Sequence, residues 1–313
     1  MNNNPLMQYA RKPELTVKLA CDNDWYPDGF IQYTLNDEVE VFPMLPKDEL
    51  MLYNPDALLS GQATINLLKS CCPSILNVEK LFYPDANILL LAIKRATYGN
   101  EHKQSHMCPK CKEIVEKLSH GTEKDKKELD RLLKEHKITD HEEEFIFDID
   151  NLLASATHLK SNYEVKIDNL LYNLKPHTIK IKEQYSILSL QRSKLLKMYK
   201  ETLERQEELP DSEKNEMINT ITDIQSKMID ANNEIFAESI NFIKLPDDSI
   251  VTDKNMITEF IANSKTNVIN KLSDEIYKIN AVGLPTTIKV NCSFCNHEFE
   301  VPLIGYNQSD FFG

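Results

Sequence analysis

Thr287-Ile-Lys-Val-Asn-Cys-Ser-Phe-Cys-Asn-His-Glu-Phe-Glu-Val-Pro-Leu303 sets a Cys-x-x-Cys pair, Cys292 and Cys295, between two runs of β character. Two thiols so spaced fit one side of a tight turn between strands, the knuckle of a zinc ribbon. A second pair, Cys108-Pro-Lys-Cys111, precedes it with 180 residues between the two. Two knuckles facing each other complete a tetrahedral Zn²⁺ site, so Cys108, Cys111, Cys292 and Cys295 are the expected ligands of a structural zinc. Four protein ligands leave no open position, which speaks against a catalytic metal. Lys110 and Lys112 flank the first pair, where they would offset the charge of four thiolates. His297 and the pair His102/His106 are alternative donors. The competing reading is two unconnected reduced pairs or two reversible disulfides. Thioredoxin-type chemistry needs a strand–turn–helix setting, which the second pair lacks.

Such a site would join segments far apart in the chain and fix everything between them at its base. Working outward from the second pair, Thr178 to Val282 carries apolar residues at three-or-four spacing. Ile181, Tyr185, Leu188, Leu195, Tyr199 and Leu203 mark one long amphipathic helix. Met217, Ile221, Ile224, Met228, Ala231 and Ile235 mark a second. Ile257, Ile261, Val268, Leu272, Ile276 and Ile279 mark a third. The breaks fall at Leu209-Pro210-Asp211 and Leu245-Pro246-Asp247-Asp248. Before this stretch, strands are expected at Leu15–Leu19, Phe30–Leu35, Val39–Phe42, Phe145–Ile149, Tyr163–Ile167 and Leu170–Leu174. Asn36-Asp37-Glu38 reads as a hairpin turn joining the second and third. Helices are expected over 48–59, 62–72 and 85–98, the last a buried core helix. Residues 1–13 read as a flexible arm.

The expected fold class is α+β: a small antiparallel β unit with a four-cysteine, zinc-ribbon-like site, plus a long helical hairpin or bundle. Residues 1–120 form an N-terminal β-hairpin and helices leading to the first knuckle. Residues 121–144 form a charged helical insertion with a thin stripe of Leu129, Leu132 and Leu133. A β region follows over 145–177, the long-helix bundle over 178–282, and the second knuckle with a Phe-Phe tail over 283–313.

Composition removes several function classes. Only 7 of the 313 residues are glycine, and the closest two are eight positions apart. Loops that cradle phosphate need glycines about two to five positions apart, so neither a dinucleotide fingerprint nor a Walker loop can be written here. Gly-x-Ser-x-Gly is excluded in the same way. The net charge of −13 argues against an open nucleic-acid surface. No apolar run reaches the roughly 18 residues of a membrane span. Met1-Asn2-Asn3-Asn4-Pro5 has neither the basic nor the apolar part of a signal peptide. Without such a signal, seven cysteines point to a reducing compartment, where paired thiols are metal ligands more often than disulfides.

The remaining candidates are contacts rather than chemistry. Cys71-Cys72 and Cys21 read as buried thiols. His141-Glu-Glu-Glu-Phe145 lacks the second histidine of a zinc protease. Asp148 and Asp150 have no spacing that marks an acid/base pair. Trp25, in Trp25-Tyr-Pro-Asp-Gly29, is a candidate partner contact that is otherwise an edge of the core. Phe311 and Phe312 are costly to leave exposed, so they should dock on this chain or on a neighbour.

Taken in order, the N-terminal hairpin, the buried helix running into Cys108-Pro-Lys-Cys111, the Phe145-Ile-Phe-Asp-Ile149 strand, the second knuckle with Glu298-Phe-Glu-Val-Pro-Leu303, and Asp310-Phe-Phe-Gly313 resemble the T4-type bacteriophage baseplate protein family. Its members take part in building the central hub of contractile tails. The similarity covers roughly 15–111, 145–190 and 286–313; the insertion at 121–144 and part of the helical stretch lie outside it. The resemblance implies a non-enzymatic tail protein that binds other hub and tail subunits. It would reside in the virion's baseplate after assembly in the host cytoplasm, with no direct contact to nucleic acid. A transient assembly chaperone absent from the mature virion is one alternative; a zinc-ribbon adaptor of a nucleic-acid machine is another.

Overall fold

Arg11 shows how the chain is fastened from its first described segment. Its guanidinium donates to the carbonyls of Pro43 at 2.8 Å and Ser70 at 2.6 Å, beside the buried Asp48. The expected flexible arm is therefore pinned at this residue. The computed structural model describes Leu6 and residues 10–53, 61–204 and 211–303. The Phe311-Phe312 tail lies outside the described residues.

Strand β1 (Leu15–Val17) pairs antiparallel with β2 (Val39–Val41). The turn at Asn36-Asp37-Glu38 forms as expected, with Thr34 N–H donating to the Glu38 carbonyl at 2.9 Å and Asp37 at φ 58°. Its first arm, however, is not a strand. Gln32 N–H goes to Ser74 and Leu76 N–H comes to Phe30, so that backbone is engaged by the 74–76 loop. Helix α1 (Pro46–Leu52) starts with proline in its first turn, where a missing N–H costs nothing, and Asp48 caps it. Helix α2 (Gln62–Cys71) and helix α3 (Tyr83–Tyr98) follow. Helix α3 is apolar on most sides and is buried from Ile88 to Lys94, so it runs through the core rather than over it. It ends at Gly99, whose φ of 94° few other residues would adopt.

Strand β3 (Glu101–His106), helix α4 (Pro109–Ser119), helix α5 (Glu123–Lys134) and strand β4 (Glu143–Asp148) come next. Strands β3 and β4 pair antiparallel, from Glu101 opposite Asp148 to His106 opposite Glu143. Asp148 then caps α6 (Ile149–Ala154) by accepting from Asn151 N–H at 2.8 Å. Strands β5 (Tyr163–Ile167) and β6 (Leu170–Leu174) form a hairpin turning at Asp168, φ 53°.

The stretch read as a three-helix bundle is not all helix. Helices α7 (Ile179–Glu204) and α8 (Asp211–Glu238) are long, as the periodicity requires, and lie against each other. Strands β7 (Ile240–Lys244) and β8 (Ile250–Val251) then extend the hairpin into a four-stranded antiparallel sheet, β5-β6-β7-β8. Leu245-Pro246-Asp247-Asp248, expected to separate two helices, instead turns one strand into the next, with Asp248 at φ 66°. The expected third helix is two shorter ones, α9 (Lys254–Ala262), capped by Asp253, and α10 (Thr266–Asn280). Strands β9 (Thr287–Asn291) and β10 (Glu298–Pro302) close the described chain as an antiparallel hairpin.

The described residues thus form a mixture of helices and small antiparallel sheets organised around two cores. The large one gathers α3, the four-stranded sheet and the inner faces of α9 and α10. The small one is built on Cys108, Cys111, Ile138 and Cys292, walled by Leu129, Leu132, Leu133, Phe294 and Phe299. The thin leucine stripe of the charged insertion is therefore the lid of the second core.

Candidate metal centre

The two cysteine pairs arrive in different local structures. Cys292 leaves β9 and turns back through Asn296, whose φ of 53° is one that asparagine tolerates. Asn296 N–H donates to the Cys292 carbonyl at 3.0 Å, and Cys292 N–H to the His297 carbonyl at 3.0 Å. This is the expected knuckle at the end of a β-hairpin. Cys108, by contrast, is the residue that begins α4. Pro109 opens the helix, Lys112 N–H donates to the Cys108 carbonyl at 2.9 Å, and Cys111 sits in the first turn. The first pair thus lies at a strand-to-helix corner, not in a second ribbon knuckle. Its sulfurs still converge, because the first helical turn brings positions three apart onto one face.

The sulfurs meet as a single cluster. Cys108 Sγ lies 3.7 Å from Cys295 Sγ, and Cys111 Sγ lies 3.8 Å from Cys292 Sγ and 3.6 Å from Cys295 Sγ. All four lie within 4.8 Å of one another. A disulfide would bring two sulfurs to about 2.05 Å. A tetrahedral ion with bonds of about 2.3 Å to sulfur sets the edges of its cage near 3.8 Å. The measured separations are compatible with that cage and not with bonded pairs.

Electrostatics point the same way. Burial pushes the Cys108 and Cys111 thiols up. Cys295, also raised by burial, falls below its ordinary value overall, because the His297 backbone and the three neighbouring thiols favour its thiolate. Four thiols in one enclosed space cannot all ionise unaided, and a divalent cation supplies the charge that would let them. Cys108, Cys111 and Cys292 are shut off from solvent, while Cys295 is half-buried. Lys110 and Lys112 are exposed on the first turn of α4.

The histidines stand outside the sulfur cluster. His102 Nε2 lies 3.2 Å from the Leu303 carbonyl; burial, helped by the charge of Lys94, pushes its pKa down to about 4. His106 meets Gln104 at 3.3 Å, and His297 stacks on Phe299. His136 and His141 pack their rings on Phe294, the residue inside the second knuckle. The centre is thus a sulfur cluster in an aromatic collar.

Residues that sequence reading passed over hold the two segments together. Leu303 O accepts from Gln104 Nε2 at 3.0 Å as well as facing His102, Ser293 N–H donates to the Glu143 carboxylate at 3.2 Å, and Phe145 meets Phe299 edge-on. None carries a spacing signal, because each contact spans more than 100 positions. Trp25 is half-buried, its indole edge on Phe82 and its N–H donating to the Lys160 carbonyl at 3.1 Å. That places it at the edge of the large core. Cys21, Cys71 and Cys72 are buried thiols, as expected; burial raises Cys71 to about 11.

Another buried polar group, Asp85, was not singled out from the sequence. It lies in the first turn of α3, accepts from Cys21 N–H at 2.9 Å and from the Tyr26 hydroxyl, and fastens the N-terminal segment to that helix. Tyr26 in turn accepts from Phe82 N–H at 3.0 Å.

Beyond this geometry, known proteins offer no guide: no family model, no curated protein and no solved structure matches the chain.

Proposed function

We propose that this chain is a non-enzymatic structural or assembly protein of a contractile bacteriophage tail, acting in the baseplate hub and held in shape by one zinc ion on Cys108, Cys111, Cys292 and Cys295. The observation that carries the metal part is the sulfur cage itself, whose Cys111 and Cys292 are 181 positions apart. A four-cysteine set that ties distant segments, walls itself with aromatic rings and keeps no position for a substrate suits a structural ion. Zinc fits such a set because it has no redox chemistry and no geometric preference of its own. Iron in the same four-sulfur surroundings is the competitor. Elemental analysis of purified protein should give close to one zinc per chain and a colourless solution. Iron at that level, or a stably folded preparation with no metal, refutes the reading.

The hub assignment is supported by the resemblance of the two cysteine pairs, their flanking strands and the Asp310-Phe-Phe-Gly313 ending to T4-type baseplate proteins. In this reading the metal-tied unit is a rigid docking base, and the helices and the terminal phenylalanines meet other hub or tail subunits. Quantitative peptide mass spectrometry on purified tailed particles and on hub intermediates tests it. Presence in the particles at a fixed ratio to other baseplate proteins marks a component of the virion. Presence only in the intermediates marks an assembly factor. Absence from both rejects the hub assignment.

A further inference from the structure

Of the seven cysteines, six are buried and Cys295 alone is only half-buried. It lies in the turn between β9 and β10, with Asn296 exposed beside it and Ser293 exposed earlier in the same turn. The other three sulfurs of the cluster are closed off, and Leu129, Leu132 and Leu133 of α5 pack against their core. With zinc bound, all four ligands are thiolates, so ionisation does not set them apart. Access does, and oxidation of a cysteine depends on both. A reagent that attacks sulfur therefore meets Cys295 first.

The sulfurs around Cys295 decide the product. Cys108 Sγ stands 3.7 Å and Cys111 Sγ 3.6 Å from Cys295 Sγ, and Cys111 Sγ stands 3.8 Å from Cys292 Sγ. All three contacts cross from the α4 corner to the β9-β10 turn. Only one choice among them pairs every sulfur: Cys108 with Cys295, and Cys111 with Cys292. Bonded sulfurs stand about 2.05 Å apart, so each of these pairs must close by roughly 1.7 Å.

We propose that Cys295 is a modification site for peroxide-class oxidants, and that the oxidised chain exchanges its ion for two cross-segment disulfides, Cys108–Cys295 and Cys111–Cys292. The proposal rests on the zinc reading above and is independent of the hub assignment. In the first step the Cys295 thiolate attacks a peroxide oxygen. The O–O bond breaks, hydroxide leaves, and the sulfur, oxidised by two electrons, carries a hydroxyl group. Cys108, Cys111 and Cys292 still hold the two segments together on the ion, so the Cys108 thiolate is in place to attack the Cys295 sulfur. The S–S bond forms, the S–O bond breaks, and a second hydroxide leaves. A second peroxide joins Cys111 to Cys292 in the same way, because two remaining ligands hold the ion poorly. Four thiolates are then oxidised to two disulfides, two peroxides are reduced to four hydroxides, and the tie between hairpin and α4 has become covalent.

The test uses the unaltered full chain with its zinc, hydrogen peroxide as oxidant, dimedone to trap a hydroxylated sulfur, and a colorimetric chelator to follow zinc release. In a short exposure, the dimedone adduct on Cys295 should exceed that on any other cysteine by about tenfold or more. Without dimedone, peptide mapping under non-reducing conditions should show Cys108–Cys295 and Cys111–Cys292, with about two peroxides consumed per zinc released. The oxidised, metal-free chain should keep hydrogen-exchange protection in β9 and β10, and dithiothreitol with added zinc should restore about one zinc per chain. A first adduct on Cys108, Cys111 or Cys292 overturns the inference and leaves the zinc reading standing. So does any other disulfide pairing, including one within each Cys-x-x-Cys, and so does zinc retained without an adduct under a large excess of peroxide. A chain purified without zinc overturns both.

Discussion

Removing a metal held by the four cysteines should unfold one part of this molecule and leave the rest standing. Without the ion, the β9-β10 hairpin keeps two side-chain contacts to the Leu303 carbonyl, the Ser293 to Glu143 bond, the Phe145–Phe299 edge contact, and the burial of Leu303 in the large core. Hydrogen bonds of this kind contribute about 1 kcal/mol each and an aromatic pair about 0.5–1.5 kcal/mol. Apparent binding energies of structural zinc in small peptides are about 10–16 kcal/mol. The ion dominates, because the second core offers few fully buried carbon side chains; Ile138 is the main one. The large core shares no buried member with it and reaches the hairpin through Leu303 and Ile288. Cys292→Ser, or a strong chelator on the unaltered chain, should lower bound metal from about one per chain to below about 0.1. Hydrogen exchange should then lose protection in β9, β10, β3 and β4 while α3 keeps its own. The chelator arm separates ligand loss from any defect caused by a serine in a closed site. Unchanged protection of β9 and β10 in metal-free protein would refute the reasoning.

Three further outcomes follow from other parts of the structure. Leu91, fully buried on α3, should cost about 2–5 kcal/mol when changed to alanine, read as a lower midpoint of the main denaturation transition with metal content unchanged. Leu132→Ala on α5 should cost less, about 1–2 kcal/mol, because Leu132 is only partly buried, and should speed metal loss to a chelator without moving that main transition. Asp85 governs a pH effect of known sign. Burial raises its pKa to about 6, above the value near 4 of an unfolded carboxyl, so the folded chain binds the extra proton between those two values. Its contribution is therefore greatest below about pH 4 and is lost as pH rises through about 6, a change on the order of 3 kcal/mol. Asp85→Asn should flatten the stability profile across that window; an unchanged slope would contradict the assignment.

The four clustered cysteines were legible in the sequence because Cys-x-x-Cys spacing is itself chemistry: it needs no knowledge of the fold to state which atoms can meet. The β5-β6 hairpin was legible for a similar reason, since Tyr163–Ile167 alternates, Leu170–Leu174 is rich in apolar residues, and the two are separated by a turn only two residues long. What failed was long-range. Ile240-Asn-Phe-Ile-Lys244 suits a strand or the end of a helix, and pairing with β6, some 70 positions earlier, decides the matter. Phe30 to Leu35 has strand composition, but its backbone is claimed by the 74–76 loop. Cys108-Pro-Lys-Cys111 looks like a turn, yet proline is also the residue best suited to open a helix, and there the second use wins. Asp85 was invisible because one carboxylate in a helical run carries no sign of being buried.

The wide separation of the two cysteine pairs also bears on the moment at which the molecule is finished. Chains are synthesised at about 5–20 residues per second, so the first pair waits roughly 10–40 s on the ribosome for the second to be made. During that time the segments of the large core up to Leu284 are made, while Cys108 and Cys111 hold at most half a site. The four-sulfur cage closes only once Cys295 has been translated, and a product terminated before that residue never closes it. A metal held by the four sulfurs would therefore report that a chain has been made at least as far as Cys295.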